Sequence, residues 1–141
     1  MKLHGTIFTD TLSWDDNCSN LVKKVNGMMQ LLRKVWSFGS SQSEIVDLWK
    51  TFCRSVLEQT CVLWDGGLTV QNKKDLDRTQ KSLAKLILEE NYSTYSEALK
   101  ILNLDSLEER RKKLTLRFIK TSLADGKFKD LFPKKKKKNT T

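Results

Sequence analysis

The chain has one histidine, His4, one proline, Pro133, and three cysteines, Cys18, Cys53 and Cys61. A single histidine leaves little from which to build a histidine-dependent triad or a mixed cysteine/histidine metal site. The cysteines are odd in number and follow no Cys-x-x-Cys or zinc spacing, so in a reducing compartment they read as buried thiols. No run of about 18 uncharged apolar residues occurs, which excludes a membrane-spanning helix. The N-terminus, Met-Lys-Leu-His-Gly-Thr, lacks the apolar block and cleavage pattern of a secretory signal. The expectation is an intracellular protein, nuclear or cytoplasmic, with no membrane partner.

What is present is charge, and mostly of one sign. The 141 residues carry a net charge of +9, enough chain for one domain with a modest core. Residues 1–60 hold seven basic and six acidic side chains, 61–90 five of each, and 91–141 fourteen against six. The polarity of the molecule therefore lies in its last third. There, Asp105 or Ser106 can cap a helix, Glu108 and Glu109 suit its first turn, and Arg110, Arg111, Lys112 and Lys113 follow at once. Leu107, Leu114 and Phe118 fall on one side of that helix, while the four cations, Arg117 and Lys120 spread over much of the rest. Two readings stand for these charges. Either they form a solvated helix face, or the helix docks by its apolar stripe and turns its cations toward phosphates.

The predicted fold is mainly α, a bundle of about five helices with a short N-terminal β-strand or hairpin and a disordered basic tail. Residues 3–14 carry β-branched and aromatic residues around a Thr9-Asp10-Thr11 turn. A first helix opens at Asp15 or Asp16 and ends at Gly39, with Leu21, Val22, Val25, Met28, Met29, Leu32, Val35 and Trp36 as its stripe. Gly27 inside it points to a close helix contact. Ser41 to Glu44 has capping-box spacing, and Ile45, Leu48, Trp49, Phe52, Cys53 and Val56 form the inward side of a second, antiparallel helix. The Leu63–Gly67 connection breaks that helix, its glycines able to take positive φ, with Trp64 as a lid on the core or an exposed stacking surface. Thr69 caps a third helix with Leu76, Leu83, Ala84 and Ile87 inward, and Thr94 to Glu97 starts a short fourth carrying Ala98, Leu99 and Leu102. After the fifth helix, Phe128, Leu131 and Phe132 read as a strap onto the body. Lys134–Lys138 read as a disordered tail, a nuclear signal or a translated adenine tract. The domain boundaries so read are a β element over 1–14, a helical domain over 15–133 and a tail over 134–141.

The order of these fragments resembles the region downstream of the catalytic palm in reverse transcriptases of non-LTR retrotransposons, the jockey-like and related mobile elements. Matching pieces are Leu3 to Asp10 with Leu12-Ser13-Trp14, the helix Leu21 to Lys34, Cys61-Val-Leu-Trp64, and Leu76 to Lys85 around Gln80. The most specific piece is Tyr95 to Arg111, of the form Tyr-x-x-Ala-Leu-x-x-Leu-x-Leu-x-Ser-Leu-Glu-Glu-Arg-Arg, and the series closes on Leu131-Phe-Pro133. The resemblance covers roughly residues 3 to 133. This chain departs from the family at His4-Gly5, at Trp14-Asp-Asp-Asn17 and at Thr79. The pair Asp15-Asp16 is not the metal-binding aspartate pair of a polymerase. Ser13 stands where the aromatic would be, and aspartates suit a helix start.

The resemblance implies a thumb-like fragment that holds a template–primer duplex and is catalytically inactive alone, the parent family being RNA-directed DNA polymerases. It implies no cofactor in this chain, magnesium being expected only at the missing palm. The partners it implies are an RNA or DNA backbone and the palm of a parent polymerase, with no small-molecule substrate. The candidate phosphate-binding residues are Arg110, Arg111, Lys113, Arg117 and Lys120, followed by Lys23 and Lys24 or Lys73 and Lys74, whichever faces converge. The alternatives are a helical protein-interaction module, in which the first helix binds a partner helix, and a retroelement relic without function.

Overall fold

The computed structural model describes residues 14–126 and, before them, the backbone of residues 2–3 and 6–7. Lys2–Leu3 pairs antiparallel with Thr6–Ile7, a pairing that precedes Thr9-Asp10-Thr11. The proposed turn at Thr9–Thr11, the strap carrying Phe128, Leu131 and Phe132, and the lysine tail all lie outside the described residues.

The protein is mainly helical. Helix α1 (Asp15–Ser37) has Asp15 and Asp16 in its first turn, where the dipole favours anions, and stops at Gly39 with φ of 90°. Helix α2 begins as Gln42–Leu48 under a complete Ser41/Glu44 capping box and runs on through a π-helical stretch, Trp49–Arg54, to Ser55–Leu57. A short α3 (Cys61–Trp64) and a 3-10 turn (Asp65–Gly67) follow. Then come α4 (Val70–Leu88), α5 (Tyr95–Leu102) and α6 (Leu107–Ala124). Thr69, Thr94 and Ser106 cap these three through hydrogen bonds to the backbone of Asn72, Glu97 and Glu109. The five expected helices are thus six, because the second ends early: the chain turns at Thr60, whose φ is 52°, and not at the glycines.

The core lies where α1, α2 and α4 meet. Trp49, Trp64, Leu21, Met29, Ile45, Leu76 and Leu83 are fully buried, and Trp64 is the lid, donating its Nε1–H to the Gln59 carbonyl at 3.0 Å. Buried residues on the second helix recur every four positions: Ile45, Trp49, Cys53, Leu57. In a regular α-helix such a stripe drifts about 40° per step; the wider π turn takes back that drift and keeps all four on the core. The same rephasing turns Phe52 outward, 54 % exposed, where periodicity placed it inward. Val35 and Phe118 are likewise exposed rather than buried, since no described residue covers either side chain. Gly66 and Gly67 do not take positive φ. Gly67 is needed for space instead, because a Cβ there would lie 2.6 Å from the Trp14 ring. Gly27 makes no close contact with any described residue.

Buried polar atoms join the layers. Gln80, fully enclosed, accepts from Trp49 Nε1 at 3.3 Å and donates to Tyr95 Oη at 3.1 Å and to the Asp105 carbonyl at 3.0 Å. One amide thereby links α2, α4, α5 and the loop into α6.

Candidate nucleic-acid interface

The two arginines at the start of α6 are turned into the protein, while Lys112 and Lys113 stay largely exposed. Arg110 donates from Nε and Nη2 to both carboxylate oxygens of Glu58, at 2.8 and 3.0 Å. This fork-on-carboxylate pairing holds the Arg110 guanidinium above its ordinary pKa. Arg111 is 2 % exposed and donates from Nε to Asp65 at 2.8 Å. Lys113 reaches Asp105 at 2.7 Å, which holds that carboxyl below its ordinary range, and Lys112 does the same for Glu108. Glu58 follows α2 and Asp65 follows α3, so Arg110 and Arg111 clamp α6 onto the turns on either side of α3. Arg110 and Arg111 are therefore corrected from phosphate ligands to tertiary ties, the acids around them having claimed their donors first, whereas Lys113 keeps an exposed ammonium beside the Asp105 carboxylate at the start of its own helix.

The remaining candidates divide. Arg117 and Lys120 stand exposed on the second half of α6, and among the described residues neither has an ion-pair partner. Lys73 sits 4.0 Å from Glu108, a distant surface pair, and Lys74 is exposed. Lys24 is exposed on the flank of α1 toward α2. Lys23 turns the other way, into an open groove between α1 and α4 of about 640 Å³, lined also by Ser19, Asn26, Arg78 and Ser82.

In that groove the fold brings a predicted cation together with further donors. Lys23 comes from α1 and Arg78 from α4, with hydroxyls and an amide between them, donor types that recognise phosphate oxygens without reading bases. Asp75 stands in the same groove and binds Arg78 at 3.2 Å, which weakens its positive character. Arg78 was not among the expected residues. Its position one turn after Lys74, with Ser82 one turn further, was the available signal.

The body is close to neutral. Residues 14–126 hold eighteen basic and fifteen acidic side chains, whereas 127–141 hold seven against one. Most of the excess charge belongs to the terminal segment. A second feature is apolar: α1 and α2 enclose a groove of about 270 Å³ lined by Met28, Leu31, Leu32, Val35, Leu48, Phe52 and Cys53. Among the described residues no helix is long and apolar enough to cross a membrane, and no cluster of three or more His, Cys, Asp or Glu side chains is placed to hold a metal. No family model, curated protein or solved structure matches the chain.

Proposed function

We propose that this chain is the thumb-like, post-palm part of a non-LTR retroelement reverse transcriptase, serving to hold the phosphate backbones of a template–primer duplex. The observation that carries the reading is the α1–α4 groove, in which Lys23 and Arg78 converge from separate helices with Ser19, Asn26 and Ser82 between them. The order of motifs from Leu3 to Pro133 and the cationic end of the chain support it. The Tyr95–Arg111 motif takes a different role in this account. Ser106 and Glu109 start α6, and Arg110 and Arg111 fasten it to the turns on either side of α3, so the motif builds the scaffold rather than touching nucleic acid.

Polymerase chemistry is absent from this proposal, because paired aspartates belong to the palm. Purified chain with magnesium and a primed RNA template is expected to give no extension. Binding of an RNA–DNA hybrid, followed by fluorescence anisotropy, is expected to weaken steeply with salt, as counterion release demands. Lys23→Ala with Arg78→Ala is expected to weaken binding about tenfold and reduce the salt slope by one to two. Unchanged affinity in that variant removes the groove from the interface; salt-independent binding removes the nucleic-acid reading. The apolar α1–α2 groove favours the second reading, a helical protein-interaction module.

A further inference from the structure

The outer face of α1 and α2 carries a pattern that the fold leaves unexplained. Leu31, 62 % exposed, lines the apolar groove with Val35 and Phe52, and Phe38, 88 % exposed, follows at the end of α1. Gly27 lies on the same flank of α1, one turn before Leu31. A glycine inside a helix weakens it, and a Cβ at this one would meet nothing among the described residues. The two edges of the face have opposite charge. Lys24 lies on the exposed side of α1, and Glu44 and Asp47 along α2, where they border the groove beside Val35 and Leu48. Among the described residues none of these three charges is in an ion pair.

We infer that a second copy of this chain docks here, α1 against α1 in antiparallel two-fold contact. The groove asks for a helix with an apolar edge beside a cationic one, and α1 is such a helix. A two-fold axis near Leu31 sets Leu31 against its own counterpart and brings Gly27 of the second copy to the level of Val35. It also carries Lys24 of the second copy to the end of the face where Glu44 and Asp47 stand. The small Gly27 lets the two helix backbones approach, the apolar rows fill each other's grooves, and the charged edges pair across the interface. A self-complementary face of this kind closes as a dimer and does not propagate. The inference stands apart from the nucleic-acid reading, since it uses the opposite flank of α1.

The test is the mass of the full chain by sedimentation equilibrium from low to high micromolar concentration. The expected result is a monomer–dimer equilibrium. Leu31→Asp and Gly27→Leu are both at open positions, so each is expected to keep its helical circular dichroism while weakening the dimer about tenfold or more. Lys24→Glu and Asp47→Lys are each expected to weaken it, and together to restore it. A chain that stays monomeric at every concentration overturns the inference, even if it captures a cationic amphipathic peptide. A dimer indifferent to Leu31→Asp and Gly27→Leu overturns it also, and failure of the double reversal to restore association overturns the two-fold register.

Discussion

Arg111 shows how far a residue's neighbours decide its work. On the helix it is one of four consecutive cations; in the fold its guanidinium is enclosed, with Nε on Asp65 and Nη2 making no hydrogen bond. Truncating one partner of a buried pair strands the other, so Arg111→Ala is expected to lower stability by about 3 kcal/mol in urea unfolding, whereas Arg117→Ala changes it by less than about 0.5 kcal/mol. Equal losses at the two positions would remove the distinction between tie and surface cation. Asp77 gives the opposite sign. Burial pushes its carboxyl up, against the pull of Arg111 and Lys81. A raised folded pKa contributes stability at low pH that is lost as pH rises through it. Asp77→Asn is therefore expected to raise Tm at pH 7 and to leave it nearly unchanged at about pH 3, as thermal melts at the two pH values will show. The three thiols are pushed up to about 11 by burial, which makes them poor nucleophiles at neutral pH.

At the level of elements, the turn between α3 and α4 sets the entry of the whole chain into its bundle. Asp65 binds Arg111, and Gly67 makes room for Trp14 at the start of α1. Gly67→Ala would press a methyl group into the indole ring. The expected cost is about 1–3 kcal/mol, the range for overpacking, read as a lower urea midpoint with an unchanged m-value. A fully stable Gly67→Ala protein would mean that Trp14 moves aside without loss. The π-helical stretch in α2 works at the same scale: one widened turn holds Trp49 and Cys53 on the core and leaves Phe52 beside the apolar groove. Sequence periodicity counts residues per turn as constant, and so it placed Phe52 on the inner side.

Over the whole molecule, charge and shape are divided. A nearly neutral helical body carries two grooves on opposite flanks of α1, one polar with Lys23 and Arg78, the other apolar with Leu31 and Phe52. The seven lysines from Lys127 onward supply most of the net charge. Truncation after Gly126 is accordingly expected to lower affinity for an RNA–DNA hybrid at low salt more than Lys23→Ala with Arg78→Ala does, and to flatten the salt dependence further. Retention of full affinity by the truncated chain would place the attraction in the body alone.

Helix starts, the antiparallel first pair and most of the core were legible in the sequence, because caps and apolar spacing act within a few residues of where they are written. Ser41, Thr69, Thr94 and Ser106 all cap where expected, and Leu21, Met29, Leu76 and Leu83 are buried as their spacing requires. The fate of each charge was not legible, since the partner of an arginine lies dozens of residues away. Arg110 found Glu58 and Arg111 found Asp65 only once α6 had folded back over α3. The sequence by itself determined that helices form and which sides of them are apolar. Only the tertiary structure decided which cations are consumed within the fold and which face outward, because pairing depends on distance in space and not along the chain.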